Sequence, residues 1–272
     1  MLVFAAVVFD EKLTHLPSLS RTLVAFVLLC MMSSAVYLMN DLVDVDSDRK
    51  HPLKRFRPLP AGELSPALAR FAAIVLALAA LVAGYLLSPI LAIILLIYLF
   101  SQISYSFWLK HVVLLDVLLV AAGFVLRVGA GVSVIEEQRF SPWLYVCTGL
   151  LALFVVLGKR RHELVLLGEE ARNHRTNLGD YTVDLIDRLI GIVTTSGLVA
   201  YSLYTFLAEG LPENNLMMLT IPFVLYAIFR YLYLIHVRHL GGAPEDIFLR
   251  DRPLQVSMTF FGLVVLAALY FL

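Results

Sequence analysis

Charge is scarce in this sequence: Asp, Glu, Lys and Arg together make up 15% of its 272 residues, against about 25% in an ordinary soluble domain. Chains that stay disordered depend on charge and low hydrophobicity, so that class is excluded. Cysteine is scarcer still. Cys30 and Cys147 both sit inside apolar runs, where a thiol behaves as a small hydrophobe, and two such residues support neither a disulfide scaffold nor a cysteine-built metal cluster. Net charge is zero and the pI about 7.1, so no overall field of either sign points to nucleic acid. Residues 2–9 are apolar but lack the basic start, longer apolar stretch and small-residue cleavage site of a signal peptide.

What is present is hydrophobic sequence in long blocks, 60% of all residues, with a mean hydropathy of +0.86. A hydrocarbon core about 30 Å thick needs roughly 20 apolar residues per helix. Suitable runs lie at 19–39, 67–87, 90–108, 112–135, 143–157, 189–207, 216–235 and 254–272. The chain therefore reads as an all-α integral membrane protein. Residues 2–9 are too short to cross and read as the second half of a further helix, one that is short or starts upstream of Met1.

Lys and Arg concentrate on the cytoplasmic side of membrane proteins. Here 15 of the 21 basic residues fall at 40–66, 110–111, 158–188 and 236–252, while the opposite loops hold Lys12, Arg21 and Arg139. The alternation is complete if residues 2–9 belong to a span that starts in the cytoplasm, which predicts nine transmembrane helices. It also predicts one membrane domain, 1–272, whose active site lies on the long cytoplasmic loops 40–66 and 158–188, since loops of that length are usually functional. The membrane is expected to be the cell membrane.

The first long loop opens Asn40-Asp41-Leu42-Val43-Asp44-Val45-Asp46-Ser47-Asp48. If helix continues from the preceding span, Asp41, Asp44 and Asp48 fall within about a 60° arc, while Asp46 points about 140° away from Asp41. Like charges on one face repel and need a counterion. That counterion is either a set of neighbouring basic residues, such as Arg49, Lys50 or Lys54, or a hard divalent cation with oxygen ligands. At the membrane interface such charge is costly and mostly functional, which favours the metal. Magnesium typically takes one or two carboxylates and completes its shell with water and phosphate, implying a diphosphate-bearing substrate.

The string from Asn40 to Gly62 resembles the first aspartate-rich signature of the UbiA-type membrane prenyltransferase superfamily, with Asn40, Asp41, Asp44, Asp48, Arg57, Pro58, Leu59 and Gly62 in the matching places. The resemblance implies nine helices around a central cavity and aspartates that carry Mg2+ for a diphosphate leaving group. Most members have a second acidic motif after the sixth helix. This chain instead has Gly158-Lys159-Arg160-Arg161-His162-Glu163-Leu164. Asp180 and Asp184 come later and read as serving the start of the next helix.

A cationic loop together with an acidic, metal-bearing one suits a donor with two separate anionic groups, such as phosphoribosyl diphosphate, with Lys159 and Arg160 on the second phosphate. The alternative is that these cations only anchor the loop inside. The segments GKRRHEL, SYSFWLKH followed by Leu115-Asp116, and GGAPEDIFLRDRPL resemble the decaprenyl-phosphate phosphoribosyltransferase branch of the superfamily. That branch moves 5-phosphoribose from phosphoribosyl diphosphate to a polyprenyl phosphate. The site residues so implied are Asp41, Asp44 and Asp48 as metal ligands and, with Lys110, as catalytic groups. Asn40, Lys54, Arg55, Arg57, Tyr105, Arg127, Lys159, Arg160 and Glu163 would bind substrate.

Two charges lie within one apolar run. Asp116 and Arg127 are 11 residues apart, hence about 20° apart on one helix face but about 16 Å apart along it, so each needs a different partner. Arg230 is expected to snorkel to the interface, and Tyr105, Tyr181, Tyr226, Tyr231 and Tyr233 to sit in interfacial belts first and to touch substrate second. Two other readings stay open: an aromatic prenyltransferase of quinone biosynthesis, which should carry a second acidic motif, and a polyprenyl-phosphate carrier without chemistry. The chain is expected to bind no nucleic acid, and an oligomer is possible.

Overall fold

A computed structural model describes residues 2–50, 54–135, 141–167, 176–208, 211–212 and 215–271. Among them all regular structure is helical. The helices are α1 (Ala5–Phe9), α2 (Leu16–Val43), α3 (Val45–Lys50), α4 (Pro66–Leu87), α5 (Pro89–Phe107), α6 (Leu115–Val132), α7 (Pro142–Leu167), α8 (Val183–Leu207), α9 (Ile221–His236), α10 (Pro244–Arg250) and α11 (Arg252–Tyr270). Short 3-10 turns add Leu2–Phe4, Lys54–Phe56, Leu109–His111, Thr176–Asp180 and Leu216–Thr220.

Their starts follow from local chemistry. Proline stands in the first turn of α4, α5 and α11, where its missing N–H costs nothing. Ahead of it Ser65, Ser88 and Asp251 accept from the amides of Leu68, Leu91 and Leu254 at 3.2, 3.4 and 2.9 Å. Thr182 does the same for α8, accepting from Leu185 at 3.1 Å.

Eight of these helices are long and apolar enough to cross a membrane: α2, α4 to α8, α9 with the 3-10 turn before it, and α11. They coincide with the eight apolar runs, so the protein is a multi-pass membrane protein. Of the nine expected spans, eight are present among the described residues; α1, five residues long, is too short to cross and together with the preceding turn buries Val3, Ala6 and Val7. The helices overshoot the apolar runs where good helix formers continue. Residues 158–167 extend α7, and Asp184, Asp187 and Arg188 lie in the first turns of α8, so the segment 158–188 is helical at both ends.

The chain divides into two compact units. The first comprises 1–7, 13–110 and 126–136. In it α4 packs on α2 and α5 through a stripe of small residues, Ala69, Ala73, Ala77, Ala80 and Gly84, all buried. Its large residues Ile74, Leu78, Val82, Tyr85 and Leu86 are exposed. Lipid is as apolar as leucine, so burying large side chains gains little; close backbone approach by small ones gives the packing contacts. A Cβ on Gly84 would stand 2.9 Å from Leu95 Cδ1, which is why glycine ends the stripe at the α4–α5 turn.

The second unit comprises 8–12, 111–125 and 137–272. Its main pairings are α7 with α8 and α9 with α11. Within one apolar cluster Tyr231 meets Phe154 edge-on and stacks on Phe248, with ring centroids 5.0 and 5.8 Å apart. Tyr231, expected at an interface, is therefore core. Arg230 holds Asp251 through Nε and Nη2 at 3.1 and 2.8 Å, so it binds α9 to the cap of α11. That guanidinium holds the Asp251 carboxyl below the usual carboxylate range, with the amide of Leu254 assisting and burial opposing.

Two outcomes follow. Ala80→Leu overfills a buried α4 position and should cost about 1–3 kcal/mol in detergent unfolding, whereas Ala79→Leu, on the exposed side, should change little. Because the folded pKa of Asp251 is depressed, its contribution is full above the unfolded carboxylate value of about 4 and is lost as pH falls through the lower folded value. Melting temperatures of wild type and Asp251→Asn should therefore differ at pH 7 and converge below about pH 4.

Candidate active site

The aspartate segment begins inside α2 and continues past a bend at Asp44, the C-cap residue, into α3. Helical hydrogen bonds bridge the bend, from Asp44 N to Asn40 O at 2.9 Å and from Asp48 N to Asp44 O at 2.8 Å. Asp41 and Asp48 both accept from Arg57 Nη1, at 2.9 and 3.2 Å. Asp48, with a side chain only 4% exposed, also lies 3.6 Å from Lys54 Nζ. Asp44 accepts from Lys110 Nζ at 3.1 Å. Asp46 stands apart, 85% exposed, with Arg49 at 3.1 Å.

Arg57 reaches this position from the turn after Lys54–Phe56, its amide bonded to Lys54 O at 3.0 Å. The chain then reverses through Gly62, whose φ of +82° lies in the left-handed region that favours glycine. Asn40 accepts from the Ser106 hydroxyl of α5. Tyr105 is half-buried on the same helix, and the Arg55 guanidinium lies 4.7 Å from the centre of the Phe56 ring.

No three acidic, histidine or cysteine side chains among the described residues are grouped as a ready-made metal site. Two do converge, Asp41 and Asp48, on one guanidinium nitrogen. A cation already stands between two carboxylates, and the donors are hard oxygens, so these residues fit magnesium. Within the first unit Arg127 donates to the Tyr98 hydroxyl at 2.8 Å and lies 5.0 Å from that ring's centre. Ser33 Oγ is 3.3 Å from the same hydroxyl.

In the second unit the three consecutive cations point three ways, because neighbours on a helix are 100° apart. Lys159 is exposed. Arg160 is buried, its Nε donating to Asp116 Oδ2 at 3.0 Å and its Nη1 to Glu163 Oε2 at 2.5 Å. Arg161 grips Asp187 at 2.7 and 3.4 Å and reaches the Ile235 carbonyl at 3.3 Å. Asp187 also meets His236 Nε2 at 3.2 Å.

The partner required by Asp116 is thus Arg160, joined by Tyr181, whose hydroxyl donates to Asp116 Oδ1 at 2.7 Å and accepts from the Leu114 amide at 2.7 Å. Burial and the hydrogen bond to Asp116 push the Tyr181 pKa up to about 12, so the phenol keeps its proton. Asp184 pairs on the surface with Arg188 at 2.9 Å, in the first turn of α8 as expected. The Gly241 amide donates to His162 Nδ1 at 3.3 Å. A Cβ on Gly242 would lie 2.7 Å from His162 Nε2, so the paired glycines let this loop lie on α7.

Sequence reasoning missed Ser106, Tyr98, Tyr181 and Asp187. Tyr98 and Ser106 lie about two turns apart on α5, as Ser33 and Asn40 do on α2, a pattern readable once the two helices are known to pack. Tyr181 and Asp187 carry no motif.

Residues 1–242 match the model of the UbiA prenyltransferase family. A protein named decaprenyl-phosphate phosphoribosyltransferase from Mycobacterium tuberculosis is 37% identical over 238 residues, covering 88% of this chain and 78% of that one. Its namesake from Mycolicibacterium smegmatis is 36% identical over 263 residues, 93% of this chain and 81% of the other. Among solved structures, a UbiA homologue from Archaeoglobus fulgidus bound to DMAPP and Mg2+ aligns with a TM-score of 0.73 at 18% identity, over 100% of this chain and 95% of that one. Fold and relatives together define a membrane-embedded transferase. The chain belongs to the UbiA prenyltransferase family.

Titration of Mg2+ by calorimetry checks the acidic cluster. Asp41→Asn, Asp44→Asn and Asp48→Asn should each weaken binding by more than the roughly 10- to 100-fold that loss of an outer-shell partner costs. Asp46→Asn should bind as wild type does.

Proposed function

We propose that this protein transfers 5-phosphoribose from phosphoribosyl diphosphate to a polyprenyl phosphate and releases diphosphate, in a magnesium-dependent reaction at the cytoplasmic face of the cell membrane. The observation that carries the reading is similarity over about nine tenths of the chain to proteins named for that transfer, together with cations at Lys159, Arg160 and Arg161 where prenyl-diphosphate users have acids. The sidedness rests on the clustering of Lys and Arg in alternate loops.

In the reaction the bond from ribose C1 to the diphosphate oxygen breaks, and a bond from C1 to an oxygen of the acceptor phosphate forms. Asp41, Asp44 and Asp48 would hold magnesium, which supplies electrostatic stabilisation of the departing diphosphate. Once those carboxylates are so engaged, Arg57, Lys54 and Arg55 are available to the diphosphate. Asn40 and Tyr105 border the same end.

Lys159 takes the 5-phosphate of the donor. Arg160 beside it supports that end with a guanidinium fixed by Asp116 and Glu163. Lys110 and Arg127 orient the phosphates. The acceptor is already an anion, so no general base is required, and the work left to the protein is positioning and charge.

Steady-state turnover of purified protein with labelled phosphoribosyl diphosphate tests the reading. Lys159→Ala should raise the KM for that donor about 10- to 150-fold, the equivalent of one charge-assisted phosphate contact. Its magnesium dependence should be unchanged. Transfer of a prenyl group to an aromatic acid, with phosphoribosyl diphosphate neither bound nor competing, would overturn the proposal in favour of quinone-type chemistry.

A further inference from the structure

We infer that Asp116 and Tyr181 are positioning residues for the phosphoribosyl donor, acting through Arg160; the inference rests on the transfer proposed above. Asp116 is completely buried in the first turn of α6, and Arg160 is 5% exposed. A lone buried charge is prohibitive, and even a paired one is often no more stabilising than apolar residues of the same volume. Something other than stability alone accounts for placing an acid here.

The geometry supplies it. A guanidinium is planar, and two of its nitrogens are tied from different directions, Nε to Asp116 and Nη1 to Glu163. Its plane and its roll about the side-chain axis are thereby set. Arg160 is adjacent in sequence to Lys159, so fixing the one constrains the helical turn that presents the other.

Tyr181 completes the frame. Its hydroxyl is spent twice, as donor to Asp116 and as acceptor from the Leu114 amide. Leu114 has φ of +67°, a left-handed conformation that costs a branched residue about 1–2 kcal/mol and persists only where the surroundings over-determine it. The phenol therefore ties the approach to α8 to the entry of α6, and Asp116 carries the tie on to the cationic turn of α7. Asp116 belongs to one of the motifs that mark this chain and Arg160 to another. Tyr181 lies outside both and is the residue that joins them.

The test uses full-length protein in lipid nanodiscs, measuring KM and kcat for phosphoribosyl diphosphate, its dissociation constant by calorimetry and the melting temperature. Tyr181→Phe keeps the ring and removes the bond, so it should fold. We expect its KM and dissociation constant for the donor to rise about 3- to 10-fold, with kcat, the KM for polyprenyl phosphate and the magnesium dependence unchanged. Asp116→Asn should give a larger rise of the same kind.

The control is Tyr201→Phe, which removes another buried hydroxyl bond, to Thr220 at 2.6 Å; it should lower the melting temperature and leave the donor constants alone. If Tyr181→Phe lowers the melting temperature as the control does while leaving donor binding at wild-type strength, the positioning role is wrong and the network is structural. If wild-type protein neither binds nor turns over phosphoribosyl diphosphate, it is the underlying assignment of function that fails.

Discussion

A carboxylate next to hydrocarbon has to meet a cation or a donor, because water is not there to solvate it. Much of what is specific about this protein follows from that constraint. Asp116 recruits Arg160 and Tyr181, Asp251 recruits Arg230, and Asp187 recruits Arg161 and His236. Each pairing joins helices that apolar contacts alone would leave free to slide, since lipid competes equally for apolar faces. The aspartates near Asn40 obey the same rule through Arg57, Lys54 and Lys110. They differ in that these cations come from partly exposed side chains.

The second constraint is steric. With small residues inward and large ones outward on α4, the first unit packs by closeness of backbones. In the second unit leucine and isoleucine line most of one core cluster, with Phe154, Tyr181 and Tyr231 among them. Small residues thus set the approach of α4 in the first unit, and the second unit adds ring contacts of Tyr231 with Phe154 and Phe248.

The crossing helices were readable because twenty apolar residues in a row admit few other interpretations. Their caps were not read, although Ser65-Pro66 and Ser88-Pro89 mark starts by simple chemistry. The isolation of Asp46 was legible from helical spacing, but of the three aspartates expected on one face only Asp41 and Asp48 meet at one cation, while Asp44, at the bend, pairs with Lys110. The cations of α7 were not legible. Lys159, Arg160 and Arg161 look like one patch in sequence, but helix geometry fans them apart, and partners 44 and 26 residues away claim two of them. Long-range pairing of this kind leaves no local periodicity to find. Tyr181 was misread for the same reason, as a belt residue with one wet end, when its hydroxyl is the meeting point of Asp116 and Leu114.

Helix α2 is one uninterrupted rod of 28 residues, about 42 Å long, and it carries Asn40 and Asp41 at its end. A rod transmits displacement. It packs on α4, and over half its length, about 20 Å, a few degrees of tilt at the middle become about 1 Å at Asp41. Of everything α2 carries, its terminal acids are therefore what a small change in its inclination displaces most.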